Sequence, residues 1–286
     1  MKISHFPDFL PDETVYSVAG RYMDRMQFRS PSTVSQHFFG TSSTGMITDL
    51  PSHLDHLVKA LPSYHKYTSD MIIDQNTLFP FYVPFLPAGR ATVLRQRMRS
   101  NDAFVHTIAG VTKSKASRID WLRYCPACVY RDRITYGECY WHRLHQIPGV
   151  LVCPVHEIML EDSFVKMLRG QSDIEFRSAE CSVSDMQQRK IPTRSHTLLV
   201  QIANNAKWLL EQKISLEQNY IQQRYLKLLA YHGFVTATGK VRYSRLKSAI
   251  LDYYSPDLLE DLGCNIRELA KDPSSFAPSI IHPVSL

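Results

Sequence analysis

Cys125-Pro126-Ala127-Cys128 and Cys153-Pro154-Val155-His156 repeat one short pattern, in which a cysteine and a proline precede a second metal-binding residue. Two residues between the ligands allow a tight turn to direct both side chains at one ion. Two such turns supply the four ligands that a tetrahedral structural zinc site needs. Because three cysteines and one histidine leave no position for water, the pattern predicts one structural Zn²⁺ ion rather than a catalytic one.

The sequence between the two turns predicts a zinc ribbon over residues 118–162. Residues 139–146 and 149–153 alternate apolar and polar side chains, as the strands of a ribbon do. The remaining cysteines, Cys139, Cys181 and Cys264, lack a partner at ligand spacing, so we expect them to be ordinary buried thiols.

Most of the remaining chain has the 3.6-residue apolar period of helices. It predicts helices over residues 11–26, 32–39, 54–61, 88–98, 198–211, 220–232, 243–254 and 257–262. The aromatic segment Thr77–Pro87 contains three prolines and is predicted to be an extended, buried connector.

The predicted fold is therefore mainly α with a small β zinc ribbon. We divide the chain into an N-terminal helical domain (1–117), the zinc ribbon (118–162), a connector (163–194) and a basic C-terminal helical domain (195–286). Three short helices joined by polar turns predict a helix-turn-helix-like unit in the first domain. A plain helical core fits the same pattern equally well.

Charge indicates a polyanionic partner. The formal net charge is +6, with 44% hydrophobic and 21% charged residues, a composition typical of a folded domain. Basic residues concentrate in two segments, 113–145 and 217–247. The best candidates for DNA contact are Lys240, Arg242, Arg245 and Lys247, on or beside the helix 243–254, with Arg131 and Arg133 beside the zinc site as weaker candidates together with Arg118, Arg123 and Arg143.

Other classes of protein find little support. The N-terminus carries no secretory pattern and no run is long enough to span a membrane, so we expect a cytoplasmic, nucleoid-associated protein. His156-Glu157 begins like a zinc-protease helix, but position 160 is leucine, and no phosphate loop or nucleophile elbow occurs. We expect no enzymatic activity. A zinc enzyme remains an alternative that an open coordination position would support.

Several segments resemble the TnsD/TniQ family, the target-site selectors of bacterial transposons that use a TnsABC-type machinery. The similar segments are Leu10–Ser17, Leu50–Leu54, Thr77–Phe85, Arg123–Cys128, Tyr136-Gly137, Trp141–Arg143 and Gln146–His156. They cover about the first 160 residues. Residues 228–242 are similar, more weakly, to the region after the zinc ribbon in the TnsD branch.

The resemblance implies a protein that binds target DNA and recruits the AAA+ regulator TnsC to the insertion site. It also leaves an alternative from the TniQ branch, a protein-only adaptor that links a CRISPR effector complex to TnsC. The last residues, Ile281–Leu286, read as the start of a further helix, so we expect either a chain that continues or a short family member.

Overall fold

Helices form most of the described part of the chain. The computed structural model describes residues 2–42, 47–87, 89–100, 105–110, 119–168, 175–184, 193–212, 220–254 and 256–262. The helices are α1 (Val15–Arg25), α2 (Pro31–Phe39), α3 (Leu54–Ala60), α4 (Ser69–Asn76), α5 (Phe79–Tyr82), α6 (Arg90–Arg99), α7 (Val105–Ile108), α8 (Pro126–Tyr136), α9 (Thr193–Glu211), α10 (Tyr220–Tyr231), α11 (Tyr243–Tyr253) and α12 (Pro256–Asp261). In these ranges, no helix has both the length and the apolar character needed to cross a membrane.

The first two helices begin and end where local chemistry directs. Thr14 caps α1, because its side-chain oxygen accepts a hydrogen bond from the Ser17 amide at 3.1 Å. Ser30 caps α2 and Pro31 occupies its first turn, while Gly40 ends it with a left-handed φ of 75°. The predicted helices over 11–26 and 32–39 are confirmed; α1 is shorter than predicted, and α2 begins one residue earlier.

Two parts of the N-terminal region differ from the sequence prediction. The aromatic segment is not an extended connector: it forms α5 and then a 3₁₀ turn, Val83–Phe85. Two of its three prolines, Pro80 and Pro84, lie in the first turns of these two helical pieces, where the missing N–H costs no internal hydrogen bond, and Pro87 follows them. Helix α4 was not predicted, although Thr68 caps it through the Met71 amide at 3.2 Å.

The strands lie outside the two cysteine turns and not between them. In the described residues, β1 (Trp121–Tyr124) pairs with β2 (Glu161–Lys166) in an antiparallel two-stranded sheet. Trp121 lies opposite Lys166 and Tyr124 opposite Glu161. Residues 144–146, predicted as strand, form a 3₁₀ turn, and Val152 of the second predicted strand bridges to Met159. Strand β2 crosses the predicted ribbon boundary at residue 162.

A single cluster of buried hydrophobic side chains joins the N-terminal helices to the cysteine-rich region and to α9. It contains Val18 and Leu57, then Trp141 and Cys153, and also Ala203. The metal candidate residues therefore pack directly against the helical core.

Candidate metal centre

The first cysteine pair is positioned by the start of α8. Cys125 is the residue before this helix and Cys128 lies in its first turn, with Pro126 at the first helical position. The Val129 amide donates to the Cys125 carbonyl at 3.0 Å and closes that turn. Both sulfurs consequently point to the same side of the helix N-terminus.

The second pair lies at the tip of a tight hairpin. The Cys153 amide donates to the Ile158 carbonyl at 2.9 Å, and the Glu157 amide donates to the Cys153 carbonyl at 2.7 Å. Glu157 has a left-handed φ of 55°, which turns the chain back after His156. The hairpin brings the Cys153 sulfur and the His156 ring to the α8 terminus.

The four predicted ligands come together as one cluster. Their ligand atoms lie within 4.8 Å of one another. His156 Nδ1 lies 3.4 Å from the sulfurs of Cys125 and Cys128 and 3.6 Å from that of Cys153, and the Cys128 and Cys153 sulfurs are 3.7 Å apart.

These separations fit a tetrahedral zinc site. With Zn–S bonds of about 2.3 Å and Zn–N bonds of about 2.0 Å, a tetrahedron places sulfurs about 3.8 Å apart and sulfur and nitrogen about 3.5 Å apart. The sulfur pair and the three sulfur–nitrogen distances agree with these values within about 0.2 Å. A metal ion can therefore be held by these residues, and it would be bound through His156 Nδ1.

Without a cation the three thiols cannot share negative charge easily. Hydrogen bonds from Cys125 and Cys128 lower the pKa of Cys153, while hydrogen bonding to Cys125 and Cys153 raises the pKa of Cys128. Hydrogen bonding to Cys128 lowers the pKa of Cys125, but bonding to Cys153 and burial outweigh it and raise this pKa to about 12. A divalent cation at this site would lower the pKa of all three thiols, because coordinated thiols lose their protons.

The cluster lies against a cleft of about 1010 Å³. Cys128 and Cys153 line it from one side, and α9 contributes Leu210 from the other. Arg131 and His145 also line the cleft. Arg131 Nη2 lies 3.8 Å, and His145 Nε2 3.9 Å, from the Cys128 sulfur.

The residues before α1 are hydrogen-bonded to the segment between the two cysteine pairs. The Thr14 amide donates to the Trp141 carbonyl at 3.1 Å, and the Trp141 amide donates to Ser17 Oγ at 3.0 Å. The Arg143 and Leu144 amides donate to the carbonyl and the side chain of Asp12, at 2.7 and 3.0 Å. These bonds attach α1 to the metal region.

Sequence comparison identifies the family to which this chain belongs. The TniQ family model matches residues 4–160, which include all four candidate ligands and the whole of α1. The chain belongs to the TniQ family. It is also 30% identical over 153 residues to the transposon Tn7 transposition protein TnsD of Escherichia coli, a match that covers 53% of this chain and 30% of that protein.

Arg143 and Arg123, two of the weaker DNA candidates in the TniQ region, are buried and bonded within the protein. The Arg143 guanidinium donates to Asp12 at 3.0 Å and to the carbonyls of Asp74 and Thr77 at 2.8 and 3.1 Å. Arg123 donates to the Ile147 carbonyl at 2.7 Å. Both arginines therefore support the fold, and the expectation of DNA contact is wrong for them.

The two cations nearest the metal cluster on α8 also have partners. Arg133 Nε pairs with Glu180 at 3.0 Å, and Arg131 pairs with Asp132 at 3.3 Å. Arg118 lies outside the described residues. Contact of Arg131 and Arg133 with DNA stays a prediction.

The C-terminal DNA candidates lie beyond the TniQ match, in the region where α10 and α11 are joined by a short β-hairpin turn. Between α10 and α11, Val235 bridges to Val241, and the Arg242 amide donates to the Phe234 carbonyl at 2.7 Å. Lys240, Arg242 and Arg245 are exposed and Lys247 is half-buried. Within the described residues, none of these four forms an ion pair with a carboxylate.

Proposed function

We propose that this chain selects a DNA target for transposition, by binding DNA and recruiting a TnsC-type AAA+ regulator to the insertion site. The observation that carries the proposal is the TniQ match over residues 4–160, together with identity to a transposition protein. The proposed role is one of binding only, without enzymatic chemistry. Target DNA and the regulator are the expected partners.

The cations around α11, which form no ion pair with a carboxylate in the part of the chain that the structure describes, support DNA contact. Phosphate-binding residues need free donors at the surface, and Arg242 and Arg245 are exposed at the start of this helix. Arg245 also lies over the Phe234 ring, 5.9 Å from its centroid, so its position is tied to the hairpin. A helix preceded by a short hairpin is a suitable element to enter a DNA groove.

DNA affinity measured against salt concentration tests this proposal. We expect Arg242→Gln/Arg245→Gln to weaken binding and to lower the slope of log affinity against log salt by up to about 2, because each phosphate contact contributes about one unit. The matched control is Arg25→Gln/Arg177→Gln, which removes two exposed cations that are already paired with Glu138 and Glu175.

Equal losses in both double variants would contradict the assignment to α11. If the unaltered chain binds no DNA, direct target reading fails and the protein-only adaptor, which links a CRISPR effector complex to the regulator, takes its place.

We further propose that the ion held by Cys125, Cys128, Cys153 and His156 is one structural Zn²⁺. Three soft thiolates and an imidazole at tetrahedral separations are the donors that zinc favours. Elemental analysis of the purified chain should find about one zinc per molecule, the occupancy of a single four-ligand site. Another metal, or none, would contradict the proposal.

A further inference from the structure

We propose that Arg131 and His145 are positioning residues for the metal centre, each donating an N–H to the sulfur of Cys128. The inference rests on the metal part of the proposed function and adds an outer layer of residues to the four ligands. It assigns to Arg131 a role toward the metal in place of one toward DNA.

The geometry gives the Cys128 sulfur two side-chain donors. Arg131 Nη2 approaches it from the same helix, one turn further on, and His145 Nε2 from the 3₁₀ turn Leu144–Gln146. Cys128 is 2% exposed, so water is largely excluded from this sulfur. At a sulfur with so little exposure to water, side-chain donors are the main groups that remain to stabilise a thiolate.

The surroundings of His145 fix which ring nitrogen carries the proton. His145 is buried, and within the described residues its Nδ1 has no hydrogen-bond partner. A buried donor without an acceptor is costly, so the proton belongs on Nε2, which faces the sulfur. Neutral His145 is then a donor to Cys128.

Asp132 orients both donors. Its Oδ1 accepts from Arg131 at 3.3 Å, and its Oδ2 lies 2.6 Å from His142 Nε2. The His142 ring packs against that of His145 with centroids 4.9 Å apart. One buried carboxylate on α8 thus supports the guanidinium directly and His145 through His142.

Charge explains why such donors are needed. Three thiolates, a neutral imidazole and a divalent cation leave one excess negative charge in a buried site. The Arg131 guanidinium offsets this charge, while the N–H groups withdraw electron density from the Cys128 sulfur. Residues that support metal ligands in this way contribute about 10- to 100-fold in metal affinity.

The test compares variants that remove the donors with variants that keep one. Arg131→Met and His145→Phe remove an N–H, whereas Arg131→Lys and His145→Gln retain a donor near the same place. Arg133→Met is the matched control, because Arg133 lies on the same helix and pairs with Glu180. Arg131 is an exposed residue, so its variants keep the fold even if His145→Phe does not.

Competition with a zinc chelator and the absorption spectrum of the Co²⁺-substituted chain provide the readouts. We expect Arg131→Met and His145→Phe to lose about 10-fold or more in zinc affinity, and their sulfur-to-cobalt charge-transfer band to move to longer wavelength. Arg131→Lys and His145→Gln should restore most of both.

Three outcomes would overturn the inference. The first is that Arg131→Met has the same zinc affinity and cobalt spectrum as Arg133→Met. The second is that Arg131→Lys and His145→Gln fail to restore the zinc affinity and the spectrum. An unaltered chain that takes up neither zinc nor cobalt would overturn the zinc proposal as well, which distinguishes the two failures.

Discussion

Arg143 lies in a nearly closed site, where its side chain is 8% exposed and bonds to Asp12 and two backbone carbonyls. Replacing it with methionine keeps an unbranched apolar stem but removes the guanidinium and leaves these acceptors without their donor. We expect Arg143→Met to lower the free energy of unfolding by about 3 kcal/mol, since breaking a buried ion pair costs about 3–5 kcal/mol and Asp12 is partly exposed. Urea denaturation measures the change.

Arg25→Met is the control for that variant, because Arg25 is exposed and its ion pair with Glu138 is at the surface. Its loss should stay within about 1 kcal/mol. A similar loss of stability in both variants would mean that the bonds of Arg143 to Asp12, Asp74 and Thr77 do not stabilise the contact between the metal region and the N-terminal helices.

Cys153→Ser should abolish stoichiometric zinc binding and unfold at least residues 118–160, because the folding of such sites is coupled to metal binding. Cys181→Ser is the matched control, since Cys181 lies outside the ligand cluster and is exposed, so the expectation of burial is wrong for it, while Cys139 is buried and Cys264 lies outside the described residues. Zinc content and the melting temperature are measured together. An unchanged melting temperature in Cys153→Ser would contradict the expectation.

The ligands could be predicted from the sequence, but their neighbours could not. Spacing alone identifies Cys125 and Cys128, because two residues between them fix the turn. His145 carries no such signal, since it reaches the Cys128 sulfur only through the tertiary fold. Arg123 and Arg143 looked like surface cations for the same reason: sequence gives their charge but not their burial.

Helix α1 is held closely against the segment 175–184. A Cβ on Gly20 would lie 2.7 Å from the Ser178 amide nitrogen and 2.8 Å from the Arg177 carbonyl carbon, which are backbone atoms that cannot rotate away. We expect Gly20→Ala to destabilise the protein by about 1–3 kcal/mol, as overpacking does. Denaturant unfolding measures the loss.

Adding Arg177→Ala to Gly20→Ala gives the informative comparison. Because the clash is with backbone, trimming the Arg177 side chain should recover no stability. Recovery would mean that the side chain, rather than the backbone, limits the approach of α1.

At the level of elements, the apolar periodicity predicts the amphipathic helices well, whereas the number of prolines gives a wrong prediction for the aromatic segment. Helices α1, α2, α9 and α11 follow apolar residues at helical spacing. In Thr77–Pro87 three prolines predict an extended chain, yet Pro80 and Pro84 lie in the first turns of helical pieces. Helix α8 was missed because the turn of its cysteine pair is also the first turn of a helix.

For the molecule as a whole, metal removal should loosen more than the cysteine-rich region. Thr14, Asp12 and Ser17 are hydrogen-bonded to residues 141–144, so losing that region also removes partners of α1. Hydrogen exchange with and without a chelator should reveal faster exchange in α1 as well as in 119–168. Helix α11 serves as the internal reference, because its buried residue Leu246 is not part of the shared cluster.

Loss of protection confined to residues 119–168 would contradict this coupling. It would instead favour the separate domains that the sequence predicts, with boundaries after residues 117 and 162. The shared hydrophobic cluster from Val18 to Ala203 is the physical reason to expect the wider effect.

The pairing of β1 with β2 has a consequence for how such proteins diversify. Opposed residues of antiparallel strands lie about 5 Å apart, so the chain enters and leaves the metal-binding portion at neighbouring points. Exchange of the whole portion would remove Trp141 and Cys153 from the cluster that they share with Val18 and Ala203. Its exposed turns, such as the one at Gly137, are therefore the places where the portion can change in length during evolution while the strand pair holds its two ends together.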